Sequence, residues 1–386
     1  MHPPGSQDLS KEEAFLPKLI ADLKELPEYG IKTPELYSPN IVFTDPLMRI
    51  DGRASYLFNI QALILFFKCD FIVHSGYASA PNEITTIWTM DFKLDQLPVV
   101  SGPMSALGIK PSPIVITGKS TYTLNTECDT VVLQADEWDS VDNPNPMPFE
   151  GILDLGRQIA SSVLSTTPSL ETPDYTVLRR AQEYEIRQYK PFMVAETEMQ
   201  GGIEGLSRGG GFNTLASYIF GEGNASNTKM EMTTPVYTTP GEGGSGGTMS
   251  FVIEGKYGDD EDALPKPTDA ERVVVRRQDM GLVAAVRFPG LPLDFEVKDN
   301  ERKLRKALER DGIKAWDGYR LAQYNDPFTP PFLKRNEILI NLDSFSFERP
   351  GAAPALEVVT PAEEEVVAES EVTVVAPVVE DSEAKQ

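Results

Sequence analysis

Between Gly211 and Tyr237 the chain reads GFNTLASYIFGEGNASNTKMEMTTPVY, a string that few folds accommodate. Phe212, Leu215, Ala216, Ile219 and Phe220 recur at i, i+3, i+4, i+7 and i+8, the spacing of one apolar helical face. Gly221 and Gly223 stop that helix, and Asn224 to Thr228 turn the chain. Met230, Met232 and Val236 then alternate as one face of a strand. Periodicity alone says only that these residues belong to a core.

The chain has 386 residues, enough for two or three domains of ordinary size. Its longest apolar run, Ala62 to Phe67, is far short of the about 20 residues a membrane-spanning helix needs. A formal charge of −24 argues against nucleic acid as a partner, because a phosphate backbone calls for a basic footprint. Two cysteines, Cys69 and Cys128, make no disulfide framework and read as two buried thiols of a reducing compartment, with a single bridge as the alternative. Two histidines, His2 and His74, exclude a His-rich metal site. The first residues, MHPPGSQDLSKEE, read as neither a signal nor a transit peptide.

The pattern divides the chain into four parts: residues 10–150, a linker over 151–172, a second domain over 173–348, and a tail over 349–386. In the first part, Ala14–Leu26 reads as a helix with Pro17 in its first turn, and Arg53–Phe67 as a second helix. Ile41–Phe43, Phe71–Tyr77, Ile84–Leu94, Ile114–Leu124 and Thr130–Trp138 read as strands, the last two pairing across Asn125 to Asp129. Helices followed by long strands indicate an α+β domain with a curved antiparallel sheet. Asp45 and Asp91 read either as pocket acids or as turn-capping and surface residues. In the linker, Ile152 to Leu164 is helix-like. The tail alternates Val, Ala, Pro and Glu without aromatics and reads as disordered, serving either to solubilise the chain or to dock on a partner.

In the second domain the motifs come in a specific order. Tyr184 to Tyr189 and Val194 to Thr197 are followed by the Gly211–Tyr237 string. Met249–Ile253, Arg272–Arg276 and Leu282–Phe288 come next, then Tyr324 to Phe328 and Pro330 to Ile338. Taken together, these segments resemble the SOUL family of haem-binding proteins. The resemblance implies a distorted antiparallel β-barrel flanked by two helices, here about 211–220 and 294–311. The two halves of the domain have a similar order, which points to an internal duplication. The second helix is rich in Lys and Arg, and Glu301 sits where it would support Arg305 at i+4. The first domain carries Tyr37 to Asn40, Phe43 to Pro46, Gly52-Arg53, Trp88 to Met90 and Trp138-Asp139. It resembles the uncharacterised domain that precedes a SOUL domain in plastid proteins, which is similar to the nuclear transport factor 2-like cone.

Haem is a flat apolar disc with two carboxylates at one edge, and strong binding usually adds an axial His, Cys, Met or Tyr. The second domain contains neither His nor Cys, so histidine ligation from within it is excluded. Under the resemblance, Phe212, Leu215, Ala216 and Ile219 would line a cleft, and Met230 and Met232 would approach the macrocycle or fill the core. Arg208, Lys334 and Arg335 would meet the propionates or remain ordinary surface charges. The reading is a haem or porphyrin carrier, buffer or scavenger without turnover. Paired acid–base groups for an enzyme are not evident. The alternative is a structural or interaction protein of little haem affinity, recruiting partners through the first domain or the tail. The resemblance implies a plastid setting, chloroplast stroma or plastoglobule; a cytoplasmic setting is the alternative.

Overall fold

Six apolar residues, Phe15, Leu16, Leu19, Ile20, Leu23 and Leu26, fall on one side of the first helix and are buried there. That stripe defines α1 (Ser10–Tyr29). The computed structural model describes residues 9–66, 69–93, 109–110, 113–141, 151–158, 167–168, 170–199, 210–241, 246–258, 260–326 and 328–347. The helix starts before Ala14, so Pro17 lies inside it rather than in the first turn. Gly30 follows at φ 73° and donates to the Leu26 carbonyl, closing the last turn.

In the first domain, β1 (Tyr37–Thr44) and β2 (Arg49–Asp51) precede α2 (Arg53–Phe66). Then come β3 (Cys69–Ala80), β4 (Glu83–Phe92), β5 (Ile109–Lys110), β6 (Ile114–Leu124) and β7 (Val131–Trp138). Six of these strands form a sheet in the order β2-β1-β7-β6-β4-β3. The β6–β7 hairpin forms as the turn residues indicate, but β1 pairs with β7 in parallel. The sheet is therefore mixed, because β1 and β7 are joined through α2 and five intervening strands instead of a hairpin. Both helices pack against one face, α2 contributing Tyr56, and bury Tyr37, Ile41, Ile84 and Tyr122 of the sheet beneath them. Asp45 caps the β1–β2 turn, its Oδ1 accepting the Leu47 and Met48 backbone N–H groups at 2.7 Å each. Asp91 stands on β4 opposite Asp70, on the face away from the helices.

A helical stretch, α3 (151–158), and β8 (Thr167–Pro168), which pairs with β5, lead into the second domain. Its nine strands are β9 (Tyr175–Arg180), β10 (Glu185–Tyr189), β11 (Phe192–Glu198), β12 (Val236–Pro240), β13 (Gly247–Val252), β14 (Val274–Gln278), β15 (Leu282–Phe288), β16 (Arg320–Gln323) and β17 (Asn336–Asn341). Two helices, α4 (Gly210–Ile219) and α5 (Asp294–Arg310), complete it. The sheet runs β14-β11-β13-β12-β16-β17-β15-β10-β9, antiparallel throughout. It is a curled half-barrel with β14 and β9 as its ends. The first half, β11–α4–β12–β13, orders its strands 11-13-12, and the second, β15–α5–β16–β17, orders them 15-17-16. The halves join along β12–β16, the arrangement a duplicated β-α-β-β unit would give.

Both helices lie on one face of this sheet. Leu215 and Ile219 of α4 pack over Ala195 and Phe251, and Val297, Leu304 and Leu308 of α5 pack over Ala284 and Ile338. The charged side of α5 stays outside, and Glu301 accepts from Arg305 Nε at 2.8 Å as its spacing indicates. Residues 349–386 lie outside the described residues, as does the reading of them as a disordered tail. Among the described residues no helix is long and apolar enough to cross a membrane.

Candidate functional site

The buried stripe of α4 is Leu215, Tyr218 and Ile219, with Ala216 at its border. Phe212 and Phe220, at the ends of the apolar spacing, are 38% and 48% exposed. Tyr218 takes the inward position instead, its hydroxyl donating to the Pro265 carbonyl at 2.7 Å. Phe212 meets Phe251 edge-on at 5.2 Å between centroids. Gly221, at φ 96°, ends the helix where a Cβ would stand 3.0 Å from the Asn227 carbonyl oxygen.

Met230 and Met232 depart from the sequence reading. They lie outside any strand, and the ladder begins at Val236. The reason is local. Asn224 holds the turn closed, donating to the Tyr218 and Thr228 carbonyls and accepting from the Thr228 N–H. Thr233 donates its hydroxyl to the Val252 carbonyl at 2.6 Å, and Pro235 follows a cis peptide. Met230 is fully buried beside Leu215, while Met232 is partly accessible. A shallow recess of about 480 Å³ lies alongside, lined by Thr228, Tyr257, Leu264, Pro265 and Lys266 among others.

Phe212, Leu215, Ala216, Ile219, Met230 and Met232 are thus gathered on the helix-bearing face. Arg335 is not. Directly opposed residues of adjacent strands share a face, and the register puts Arg187, Ala285 and Glu337 on the other face, with Tyr324 just beyond β16. There Arg335 is buried, donates from Nε and Nη2 to Glu337 Oε1 at 3.0 and 2.7 Å, and stacks over Tyr324 at 3.8 Å. Lys334 donates from Nζ to the Asp326 carbonyl at 3.0 Å. Arg208 lies outside the described residues.

This inner face holds a charged group that single residues did not reveal. Arg187 and Glu337, both fully buried, pair through Nη1–Oε2 at 2.7 Å and Nη2–Oε1 at 3.2 Å. Tyr324 donates its hydroxyl to Glu337 Oε2 at 3.0 Å, and Arg287 Nε lies 3.6 Å from Oε1. Burial alone would push the Glu337 carboxyl up, but Arg187 and Arg335 hold it well below the usual carboxylate range. The signal for this group was the alternation Glu185-Ile186-Arg187-Gln188-Tyr189, polar at every second position of a strand.

The two domains meet along β9. Thr89 and Thr117, directly opposite on β4 and β6, reach its backbone. Thr89 donates to the Val177 carbonyl at 2.6 Å, and Thr117 Oγ1 accepts the Arg180 N–H at 2.7 Å. Arg180 also holds Asp154 of α3 through two bonds of 2.9 and 3.1 Å. Asp154→Asn is expected to cost roughly 1.5–3 kcal/mol, checked as a lower calorimetric melting temperature. His74 belongs to this junction. Its Nε2 sits 2.8 Å from Thr89 Oγ1, its ring stacks on Phe347, and burial lowers its pKa to about 4. It is neutral and engaged by protein. His2 lies outside the described residues. Cys69 and Cys128 are buried free thiols, as read, with Cys69 pushed up to about 11 by burial.

A curled nine-stranded half-barrel with two helices on its outer face, preceded by a helix-covered mixed sheet, defines a two-domain α+β protein. Residues 170–341 match the family model described as SOUL heme-binding protein, and the C-terminal domain is a SOUL domain. Residues 15–132 match the model described as Uncharacterized conserved protein (DUF2358). No curated protein matches the chain. Solved structures to which part of the chain is similar include an NTF2-like protein of unknown function from Cytophaga hutchinsonii, 14% identical, covering 36% of this chain and 95% of its own, with a TM-score of 0.22. A protein with a ketosteroid isomerase-like fold from Catenulispora acidiphila is 10% identical, covering 31% and 84%, at 0.24. A hydrolase from Listeria innocua is 11% identical, covering 42% and 91%, at 0.30. At these scores none bears on what the protein does.

Proposed function

We propose that the SOUL domain binds haem or a related porphyrin reversibly, as a carrier or buffer, on its α4 side and without a histidine ligand. The family match carries the tetrapyrrole assignment. The absence of His and Cys from residues 170–341 carries the mode of binding. Leu215, Ile219 and Met230 are consumed by packing, so they would support the site from below. The surface left to a flat ligand is Phe212, Phe220 and the accessible part of Met232, with Lys229 near the Phe220 ring and Lys266 at the neighbouring recess. Aromatic faces and a few cations suit a macrocycle with propionates. Release is then as easy as capture, and the iron contributes little. A plastid setting belongs to the same proposal.

The test is a titration of the full chain with haemin and with iron-free protoporphyrin, followed by absorbance and fluorescence quenching. Both ligands are expected to saturate at one per chain with affinities within about tenfold, since no strong axial bond separates them. Phe212→Ala is expected to weaken both about tenfold, the loss of one partly exposed aromatic contact of roughly 1.4 kcal/mol. A sharp six-coordinate haem spectrum would contradict this reading. A folded chain with no saturable binding would leave the structural or interaction role.

A further inference from the structure

Three rows of side chains cross the helix-covered face of the N-terminal sheet. The register places Trp88, Gly118 and Trp138 in one row and Ile84, Tyr122 and Gln134 in another. Between them runs a row of short polar residues, Thr86, Ser120 and Asp136. A short row between long ones forms a slot. Asp136, at the end of that row, keeps accessible surface while Thr86 and Ser120 beside it are fully buried.

The floor of the slot is held in place. Tyr56 donates its hydroxyl to Gln134 Oε1 at 2.7 Å, which turns the Gln134 amide nitrogen onto Asp136 Oδ1 at 3.0 Å. Trp88 Nε1–H donates to Ser120 Oγ at 2.8 Å. Among the described residues no cation bears on Asp136, and the charged group that does, Asp45, adds repulsion. Buried carboxylates ordinarily have a cationic partner. Tyr122 Oη and Thr86 Oγ1, fully buried on the same face, lie near each other and near Ser120 without making a well-aligned hydrogen bond. An ammonium carries a positive charge and several N–H donors. The floor offers a carboxylate and two oxygen acceptors in return. Trp88 and Phe71, 5.6 Å apart, give aromatic walls suited to a cation with an apolar body.

We propose that this slot binds a small protonated amine with an apolar body, its ammonium seated on Asp136 between Tyr122 and Thr86. The test is calorimetric titration of the full chain at pH 8 with benzylamine and with benzyl alcohol, its uncharged counterpart. Benzylamine is expected to saturate at one per chain and to bind at least tenfold tighter than the alcohol. Asp136→Asn should remove that preference. Saturating haemin should leave benzylamine binding unchanged, which separates this slot from the SOUL site. Equal binding of the two probes, no saturable benzylamine binding, or displacement by haemin would overturn the proposal. The amine-to-alcohol ratio needs no variant, so a poorly folding Asp136→Asn chain would not shelter it.

Discussion

Replacing Glu337 with Gln is expected to destabilise the C-terminal domain by about 3–5 kcal/mol, the cost of breaking a buried ion pair from one side. Glu337 is fully buried and accepts from Arg187, Arg335 and Tyr324, with Arg287 close by. Gln keeps the shape and removes the charge. Arg187 and Arg287 would then have only Glu185, already engaged by Arg187 Nε at 2.8 Å, and Arg335 would lose its carboxylate partner. Chemical denaturation of the variant measures the loss, and a drop of roughly 10 °C in melting temperature should accompany it. Replacing Arg187 and Glu337 together with Met and Leu should recover little of the loss, because Arg335 and Tyr324 would still be left buried without their shared acceptor. A cost under about 1 kcal/mol for Glu337→Gln would show that the inner face does not depend on this charge.

Asp136→Asn is expected to act in the opposite direction and to depend on pH. Burial pushes the Asp136 carboxyl up to about 7, above its ordinary 3.8, against hydrogen bonds from Ser120 and Gln134. The folded chain therefore keeps this proton where the unfolded chain has lost it. Stability must fall as pH rises from about 3.8 to about 7, and the full penalty applies above that window. The raised value corresponds to an upper bound of about 4 kcal/mol at pH 8. Asparagine has no proton to lose there. The variant should be the more stable chain at pH 8, with the difference vanishing at pH 4. Denaturation curves at the two pH values check this, and an unchanged difference would show that Asp136 does not titrate in the window. An acid held at a cost to stability is a feature of binding and catalytic sites.

Strands β6 and β15 were legible to their end residues because each is a β-rich run bounded by turn residues. Helix α4 followed from its apolar spacing and the glycines that stop it, α2 was read over Arg53–Phe67, and α5 was implied by the family resemblance. The parallel β1–β7 pair was not legible, since pairing partners far apart in the chain leave no local mark. Met230 and Met232 alternate as a strand would, but Asn224 closes the turn before them and Thr233 reaches the Val252 carbonyl through its side chain, so the ladder begins only at Val236. On α4, the spacing admitted Phe212 and Phe220 to the apolar side, whereas burial favours Tyr218, whose hydroxyl finds a carbonyl. Arg335 read as a rim charge because a lone arginine says nothing of its partners. Arg335 and Glu337 lie two apart, on one side of an extended chain, and only the fold brings Arg187 to them. Asp136 is the same kind of case, since Gln134-Ala135-Asp136 reads as a strand's wet side until the helices are seen to cover it.

Strand β9 is the free end of the half-barrel, and the N-terminal sheet lies across it through Thr89 and Thr117. A chain severed between the domains would leave that edge bare, with unanswered N–H and C=O groups ready to pair with another copy. The SOUL domain is therefore poorly suited to being transplanted as a module. Its companion covers part of that edge, and a split version should self-associate more than the intact chain.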